Sequence, residues 1–334
     1  MSTIHFNFDH LLNILVKKYS IARFGVVDNL APISFDKFED WINKGHAGGL
    51  KYLTDDRMLA RKNLLSVFPQ AKQTVVFAFD YSQIKKGLTE FYKNSFWNKL
   101  KIAAYTVAYP EDYHLHLKKI LGELALSLKE ASPSLLYLVG LDVLPILERD
   151  FAYQAGLGWF GKNSMLIDPD QGSYFLIGSI ILSEKLFSAT ATTQSDHCGT
   201  CTACIDSCPT KAIGPIDRIL KADKCISTYT IEVFKEGVPP PGMEKANGEF
   251  FGCDICQEVC PWNQKRLERL PRSSFQHYLA DFFLGRKLEE VLSDIKMLSL
   301  KGFKNKFSLF PLGRSGKRGI LKNLIFWKNH NSNS

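Results

Sequence analysis

The chain has 334 residues, of which 45% are hydrophobic and 23% are charged, and its formal net charge is +8. This length and composition can fill a hydrophobic core, which excludes a disordered or fibrous protein. No signal-peptide pattern opens the chain, and its longest apolar run, residues 174–182, is far shorter than the roughly 20 residues of a membrane span. We therefore expect a soluble, cytoplasmic protein without membrane association.

The first elements are short strands flanked by helices. Runs rich in Val and Phe predict buried strands at residues 20–30 and 72–81. Helical periodicity is present at residues 7–19, 34–44 and 112–130. Because helices and strands alternate, the pattern predicts an α/β layer domain, to which we assign residues 1–190.

A carboxylate follows the next apolar stretch. Leu135 to Leu141 runs directly into Asp142, with Pro145 shortly after. The ends of strands are where α/β domains place their chemistry, so Asp142 is a candidate active-site residue. The structural alternative is a helix N-cap, since Asp followed by Pro is a common helix start. The local pattern supports both interpretations equally.

Residues 155–182 contain five glycines, a density that lets a backbone approach a bulky ligand. Three of them, Gly156, Gly158 and Gly161, fit the spacing of a dinucleotide-binding loop. Two aromatic residues fill the middle of that pattern, however, and a helical segment rather than a strand precedes it. The spacing alone therefore does not predict a nucleotide site.

All eight cysteines lie between residues 198 and 260. The first four follow the C-x2-C-x2-C-x3-C-P spacing of bacterial ferredoxins, and the last three repeat its C-x2-C-x3-C-P ending. In two-cluster ferredoxins the fourth cysteine of each run ligates the other cluster. The spacing therefore predicts one 4Fe-4S cluster on Cys198, Cys201, Cys204 and Cys260, and a second on Cys208, Cys225, Cys253 and Cys256.

Zinc binding and disulfides are the alternative uses of these thiols. A tetrahedral zinc site has no need of the Cys-Pro endings or of crossed pairing, and a reducing compartment disfavours disulfides. We therefore predict a ferredoxin-like domain over residues 191–265, which would carry single electrons. Because this domain is much shorter than the chain, the remaining residues must serve another purpose.

Basic residues are concentrated in the C-terminal part of the chain. We place a domain boundary near residue 266, after which helical patterns at residues 275–297 predict a helical segment over residues 266–334. Residues 295–334 carry nine Lys or Arg and no Asp or Glu. Such a tail is typical of binding to a phosphate backbone, although a solvated helix face explains the charge equally well.

Several segments together resemble the epoxyqueuosine reductase family, and the resemblance covers nearly the whole chain. They are Asp142-x-x-Pro145 with Glu148-Arg149, AGLGWFGKNSMLI from Ala155, CGTCTACIDSCPTKAI from Cys198, Cys225-Ile226-Ser227, and GCDICQEVCPWN from Gly252. Weaker matches are Arg61, Tyr105 and Asp112-Tyr113-His114. The chain departs from the family at Ser179, where Glu is usual, and at Asn63, where Pro is usual.

The resemblance implies an oxidoreductase that reduces epoxyqueuosine to queuosine in the anticodon loop of tRNA, with cob(I)alamin as the nucleophile. Its cofactors would be two 4Fe-4S clusters and cobalamin, and an external donor of the flavodoxin or ferredoxin type would supply single electrons. The histidine that ligates cobalt in DxHxxG proteins is not expected, because position 117 is Leu rather than Gly. We expect the protein to be a monomer.

The resemblance also implies which residues form the site. Asp142 would be the proton donor, and for that role an apolar, water-poor surrounding must raise its pKa. The implied cobalamin contacts are Arg61, Tyr105, Asp142, Gly161, Lys162, Asn163, Ser164 and Gln257. The implied tRNA contacts are Ser227, Arg314, Lys317 and Arg318.

Two other functions remain open at this point: an iron–sulfur electron-transfer protein, and a cytoplasmic corrinoid enzyme similar to reductive dehalogenases. The glycine-rich segment argues against the first, because electron transfer alone does not require it. Dehalogenases generally carry a twin-arginine export signal, which this sequence lacks.

Overall fold

The structure is a computed structural model that describes residues 7–94, 98–189, 193–216, 218–233, 237–272 and 274–331. Its strands are β1 (Arg23–Val27), β2 (Gln73–Asp80), β3 (Lys101–Ile102), β4 (Tyr137–Gly140), β5 (Trp159–Phe160), β6 (Leu166–Ile167), β7 (Phe175–Leu182) and β8 (Glu249–Phe251). Its α-helices are α1 (Phe8–Lys18), α2 (Phe35–Asn43), α3 (Lys51–Thr54), α4 (Arg57–Ala60), α5 (Ser82–Asn94), α6 (Tyr113–Ala131), α7 (Glu148–Gln154), α8 (Ala203–Asp206), α9 (Ile255–Glu258), α10 (Pro261–Arg269), α11 (Tyr278–Phe283), α12 (Leu288–Met297), α13 (Leu300–Phe307) and α14 (Gly316–Asn331). Among these described helices, none is long and apolar enough to span a lipid bilayer.

The N-terminal helices and strands predicted from the sequence are confirmed. β1 and β2 lie inside the two predicted strands, and α1, α2 and α6 match the three predicted helices to within one residue at each end. The hydrophobic periodicity of each segment was sufficient to predict its structure, because it reflects the one face that the helix or strand buries. In α6, for example, Leu117, Leu121 and Leu124 are fully buried on the same side of the helix.

The central sheet has the strand order β1-β2-β7-β4, and each neighbouring pair is antiparallel. The mixed helix and sheet class is confirmed, but the α/β layer predicted for the N-terminal part is wrong, because an antiparallel sheet makes it α+β. The cause is β7, which inserts between β2 and β4 and places Ser179 opposite both Val76 and Gly140. Hydrophobic periodicity describes single helices and strands, so it gives no information about which distant strands pair.

Helices cover both faces of this sheet. On one face α1 and α6 pack over β2 and β7, and the buried core there includes Leu121 and Phe77. On the other face α7 packs with Phe151 close to Val76. Gly178 allows α6 to approach, because a Cβ at this position would lie 2.7 Å from Cδ1 of Leu121. Truncation of a fully buried leucine in such a core costs about 2–5 kcal/mol.

The C-terminal helices belong to a second core instead of extending into solvent. α11 to α14 bury Phe283, Phe307 and Trp327 together with Phe250 of β8 and Tyr229. The predicted boundary at residue 266 falls inside α10, and the boundary between residues 190 and 191 lies outside the described residues. The three domain limits therefore stay predictions.

Candidate functional site

Four thiols line a cavity of about 340 Å³. They belong to Cys198, Cys201, Cys204 and Cys260, the set predicted for the first cluster. The first run supplies three of them through a tight turn and α8, and Cys260 arrives from the second run immediately before α10. Cys201 is exposed whereas Cys260 is buried, so the cavity opens on one side. The two cysteine runs meet here as a crossed arrangement requires.

The other four cysteines, Cys208, Cys225, Cys253 and Cys256, are each partly buried. Burial raises the pKa of Cys225, Cys253 and Cys256, and the charges of neighbouring thiols in the group raise it further. The sulfur of Cys208 accepts a hydrogen bond from the backbone N–H of Ala212 at 3.3 Å. The raised pKa values keep the thiols of Cys225, Cys253 and Cys256 protonated when no metal is bound, and iron would bind them as thiolates.

The arrangement of ligands differs from that of a single-ion site. Within the described ranges, no three His, Cys, Asp or Glu side chains converge closely enough to hold one metal ion. His197, next to the first ligand, packs against Trp159 and Trp262, with ring centroids 4.9 and 5.9 Å away. Thiolates around a cavity are the donor set of a 4Fe-4S cluster. The four thiols that line the cavity are therefore suited to such a cluster.

Asp142 lies in the loop between β4 and α7, with its backbone in the left-handed region at a φ of 52°. Its carboxylate accepts a hydrogen bond of 2.8 Å from the Tyr113 hydroxyl and lies 3.6 Å from Nε2 of His114. Its backbone N–H donates to Oε1 of Glu148 at 2.7 Å. The N-cap alternative is wrong, because Leu147 occupies the N-cap of α7.

The carboxylates at this site have pKa values shifted in opposite directions. Burial raises the pKa of Asp142, but the contacts with His114 and Tyr113 outweigh it and hold the pKa below its usual range. Because 59% of the Asp142 side chain is exposed, water reduces the effect of burial on its pKa, and the contacts with His114 and Tyr113 have the larger effect. The raised pKa expected for Asp142 is therefore wrong. Burial, followed by repulsion from Asp142, raises the pKa of Glu148 to about 8.

His114 carries the proton that Asp142 lacks. Its Nδ1 lies 2.8 Å from Asp112, and its Nε2 faces Asp142 on the other side. Burial lowers the pKa of His114, but these two carboxylates outweigh burial and raise it to about 9. The ring is therefore an imidazolium at neutral pH, held between two carboxylates.

We expect the His114 ring to titrate near pH 9. Its pKa is raised from 6.5, so the ion pairs stabilise the fold fully at pH values below 6.5 and lose this contribution as the pH rises through about 9. An NMR titration of the histidine rings in the oxidised protein measures the value, with His114→Gln to assign the signal. Titration near 6.5 would contradict the ion pairs described here.

Tyr105 connects the surroundings of Asp142 to the segment that carries Cys253. Its ring packs edge-on against the ring of Tyr113, the donor to Asp142, with centroids 5.8 Å apart. The backbone N–H of the preceding residue, Ala104, donates to Oδ2 of Asp254, the residue after Cys253, at 2.9 Å. Burial raises the pKa of Tyr105, and the charges of Asp142, Asp254 and Glu232, which pairs with Arg314 at 2.9 Å, raise it further. Segments far apart in the sequence thus meet beside Asp142, and we call this region the cleft.

The structure divides the predicted cobalamin contacts into two sets. Tyr105 and Asp142 face the cleft, and beside them Val143 leaves an apolar side chain 74% exposed. The remaining predicted contacts have partners or close packing within the protein; they are Arg61, Gly161, Lys162, Asn163, Ser164 and Gln257.

Lys162 and Asn163 connect the glycine-rich segment to the cysteine loops. Lys162 donates to the carbonyls of Gly199 and Cys201 at 2.7 and 2.8 Å. Asn163 is buried and donates to the carbonyl of Cys256 at 3.3 Å. This segment therefore supports both thiol groups directly, a role that its glycine content did not indicate.

Arg61, Ser164 and Gln257 are also engaged internally. Arg61 is 7% exposed and donates to a backbone carbonyl of α4 at 2.7 Å. The carbonyl of Ser164 accepts from the Arg149 guanidinium, and Gln257 accepts from a buried hydroxyl at 3.0 Å. Contacts between these residues and cobalamin stay predictions.

The predicted tRNA contacts differ in their surroundings. Burial raises the pKa of Cys225, and the neighbouring Ser227 lowers it through a hydrogen bond to the thiol. Lys317 donates to a backbone carbonyl at the end of α12 at 2.8 Å, and Arg314 is paired. Arg318 is exposed on α14. Arg318 is therefore the clearest candidate of the four for contact with a phosphate.

Sequence reasoning missed some of the residues around Asp142. Tyr113 and His114 have a signal in the Asp-Tyr-His match at the start of α6, and Glu148 lies in the motif after Asp142. Glu232 has no local signal, because only the tertiary fold brings it to the cleft.

Comparison with known proteins agrees with this geometry. Residues 197–263 match the 4Fe-4S double cluster binding domain family. An epoxyqueuosine reductase of Cyclobacterium marinum is 37% identical over 298 residues, which cover 89% of this chain and 88% of that protein. The structure of epoxyqueuosine reductase from Streptococcus thermophilus matches with a TM-score of 0.80 at 22% identity, covering 98% of this chain and 82% of that chain.

Two further structures share the fold. An epoxyqueuosine reductase solved with an epoxyqueuosine-modified tRNA stem loop has a TM-score of 0.73 at 23% identity, covering 97% of this chain and 82% of that chain. A reductive dehalogenase, described with a mechanism for B12-dependent dehalogenation, has a TM-score of 0.50 at 13% identity, covering 97% of this chain and 39% of that chain.

The thiol-lined cavity and the matched domain define this chain as an iron–sulfur protein of the 4Fe-4S class. The cluster domain occupies only the middle of the chain, whereas the similarity to relatives extends over most of its length. The chain belongs to the epoxyqueuosine reductase family.

Proposed function

We propose that this protein reduces epoxyqueuosine to queuosine in the anticodon loop of tRNA, with two 4Fe-4S clusters, cobalamin and Asp142. The observation that carries the proposal is the position of Tyr105, whose ring packs against the donor to Asp142 while the N–H of the preceding Ala104 binds Asp254, next to Cys253. A redox centre and a proton-transfer group then share one space. The substrate follows from the family and from the relative solved with an epoxyqueuosine-modified tRNA stem loop.

The reaction removes the epoxide oxygen as water and leaves an alkene, so it consumes two electrons and two protons. The cysteines would hold the clusters in the crossed pairing, and each cluster would pass one electron at a time. Cobalamin, when bound, supplies a cobalt nucleophile that can be reduced in single-electron steps. An external flavodoxin-type or ferredoxin-type donor would supply the electrons.

The exposed groups of the cleft suit a large ligand with a flat apolar face. Val143 provides exposed apolar surface, and the neighbouring Asp142, whose side chain is 59% exposed, provides a hydrogen-bonding group. Leu117, the position where a DxHxxG protein has glycine, is fully buried in the core of the sheet domain. We therefore assign cobalamin to this cleft without a histidine ligand from that motif.

Proton transfer would use His114 and Asp142 together. The imidazolium of His114 stores the proton at neutral pH, and Oδ2 of Asp142, 3.6 Å from Nε2, receives it as negative charge develops on the epoxide oxygen. Asp142 is then the group that contacts the substrate, although its pKa is low in the resting protein. Glu148, with a pKa of about 8, is a second proton store next to Asp142.

The test is conversion of epoxyqueuosine-tRNA by anaerobically purified protein reconstituted with iron, sulfide and cobalamin. We expect about eight irons and one cobalt per chain, and queuosine as the product. A protein that binds both clusters but no cobalamin would support the electron-transfer alternative. A fully loaded protein that leaves epoxyqueuosine-tRNA unchanged would overturn the proposal.

We expect the exposed side of α14 to contribute to tRNA binding. Arg318→Gln should weaken the affinity and reduce the slope of log affinity against log salt by about one unit, because one phosphate contact is lost. Lys72→Gln, an exposed lysine at the edge of β2, is the charge-matched control. If both variants have the same affinity and salt slope, α14 does not contact the phosphate backbone.

A further inference from the structure

We infer that Ser315, Lys322 and Asn323 are positioning residues for the second 4Fe-4S cluster, because they hold the turn that follows Cys225. This inference rests on the proposed second cluster. It gives the C-terminal segment a task beyond binding tRNA, namely to keep a ligand-bearing loop in place.

Residues Thr228–Glu232 form a single π-helical turn shortly after Cys225. So short a helix leaves its last carbonyls without partners inside the helix, and other groups must supply the donors. The C-terminal segment binds each of four successive residues of this turn. The pairs are Lys322 with the Tyr229 carbonyl at 2.5 Å, Asn323 with the Thr230 carbonyl at 2.8 Å, Ser315 with the Ile231 carbonyl at 2.9 Å, and Arg314 with the Glu232 carboxylate at 2.9 Å.

Asn323 is the most informative of these donors. Its side chain is fully buried on the apolar face of α14, and its Nδ2 donates to the Thr230 carbonyl. Its Oδ1 is buried without a hydrogen-bond partner among the described residues. A buried, half-satisfied amide is costly, and an apolar residue would avoid that cost. The hydrogen bond to Thr230 is therefore the feature that distinguishes this asparagine from an apolar side chain.

Thr230 transmits this restraint to the cluster ligands. Its side chain is fully buried, and its hydroxyl donates to the carbonyl of Ile226, the residue after Cys225, at 2.8 Å. The same hydroxyl accepts from the N–H of Gly252, the residue before Cys253, at 3.0 Å. One threonine thus connects the two segments that carry these ligands, and Asn323 holds that threonine in place.

Lys322 adds a second restraint to the same turn. Its Nζ lies 3.5 Å from the centroid of the Tyr229 ring and donates to the Tyr229 carbonyl. Among the described residues, the hydrogen bonds that Ser315, Lys322 and Asn323 donate to this part of the fold reach the turn after Cys225 and not the segments of Cys198, Cys201, Cys204 and Cys260. Loss of the C-terminal contacts should therefore affect the second cluster selectively.

The test compares Asn323→Ala with Asn329→Ala, an exposed asparagine on the same helix. In reconstituted holoenzyme we expect Asn323→Ala to lose iron from the second cluster on the order of tenfold faster, because partners around metal ligands typically contribute 10–100-fold. The EPR signal of that cluster, assigned with Cys225→Ser, should change while the other signal stays. Turnover should fall with KM for tRNA unchanged, and Asn329→Ala should match the wild type.

Lys322→Met and Lys322→Arg form a second pair, in case Asn323→Ala does not fold. Met keeps the hydrocarbon stem over Tyr229 but removes the donor, so it should change the second EPR signal, whereas Arg should restore it. Unchanged cluster signals in both Asn323→Ala and Lys322→Met, or equal damage to both clusters, would overturn the inference. A wild-type protein that never assembles the second cluster would instead overturn the proposed function.

Discussion

Asp142→Asn is expected to reduce single-turnover conversion of epoxyqueuosine-tRNA by roughly 10²–10⁴-fold, the usual contribution of general acid catalysis. Asparagine tolerates the left-handed backbone at φ 52° and can still accept the hydrogen bond from Tyr113. It cannot relay a proton from His114 at useful pH. Clusters, cobalamin content and tRNA affinity should be retained, and they are measured before the conversion assay.

Asp170→Asn is the control for this substitution. Asp170 is an exposed carboxylate in the turn after β6, and its change should leave conversion unaltered. Near-wild-type conversion by Asp142→Asn would remove Asp142 from the mechanism. Glu148, whose pKa of about 8 keeps it mostly protonated at neutral pH, would then be the next proton source to test.

Cys208→Ser and Cys260→Ser are each expected to damage the cluster whose other ligands lie in the opposite run. Cys260→Ser should remove the cluster that occupies the cavity lined by Cys198, Cys201 and Cys204. Each variant should hold about four irons after reconstitution instead of about eight, because a serine hydroxyl is a poorer ligand for iron than a thiolate. Iron analysis and EPR spectra measure the outcome.

Comparison with matched variants distinguishes crossed pairing from a pairing in which each run holds its own cluster. The spectrum of Cys260→Ser should resemble that of Cys198→Ser, and the spectrum of Cys208→Ser should resemble that of Cys225→Ser. The opposite grouping would show that each run keeps its own cluster. Zinc in place of iron in the wild-type protein would contradict the cluster assignment altogether.

These experiments bear on one feature of the fold, the cleft between the sheet domain and the cysteine loops. Asp142 with His114 reaches it from the loop after β4 and the start of α6, and residues Ala104 and Tyr105 link them to Asp254, next to Cys253. Proton transfer and electron transfer are therefore separable by substitution. Asp142→Asn should impair proton transfer and leave the clusters intact, whereas Asn323→Ala should impair the second cluster and leave proton transfer intact.

Several of these features follow from the sequence by itself. The cysteine spacing predicts which four thiols line the cavity, because the tight turns of the ferredoxin pattern leave few other ways to group them. Helical periodicity predicts α1, α2 and α6, since each has one buried face. The apolar stretch that ends at Asp142 makes this residue a candidate for the active site, and β4 does end just before it.

The remaining features depend on residues far apart in the chain, so they are visible only in the folded protein. The sheet is antiparallel because β7 inserts between β2 and β4, which no local pattern encodes. The pKa of Asp142 is low because Tyr113 and His114 contact it from α6, whereas the proton-donor role implied by the resemblance required an apolar surrounding that raises it. Part of the basic tail has a structural role, because Asn323 donates a hydrogen bond to the carbonyl of Thr230, which lies 93 residues earlier in the sequence. Charge composition reports how basic a segment is, but only packing determines which of its polar groups remain free for tRNA.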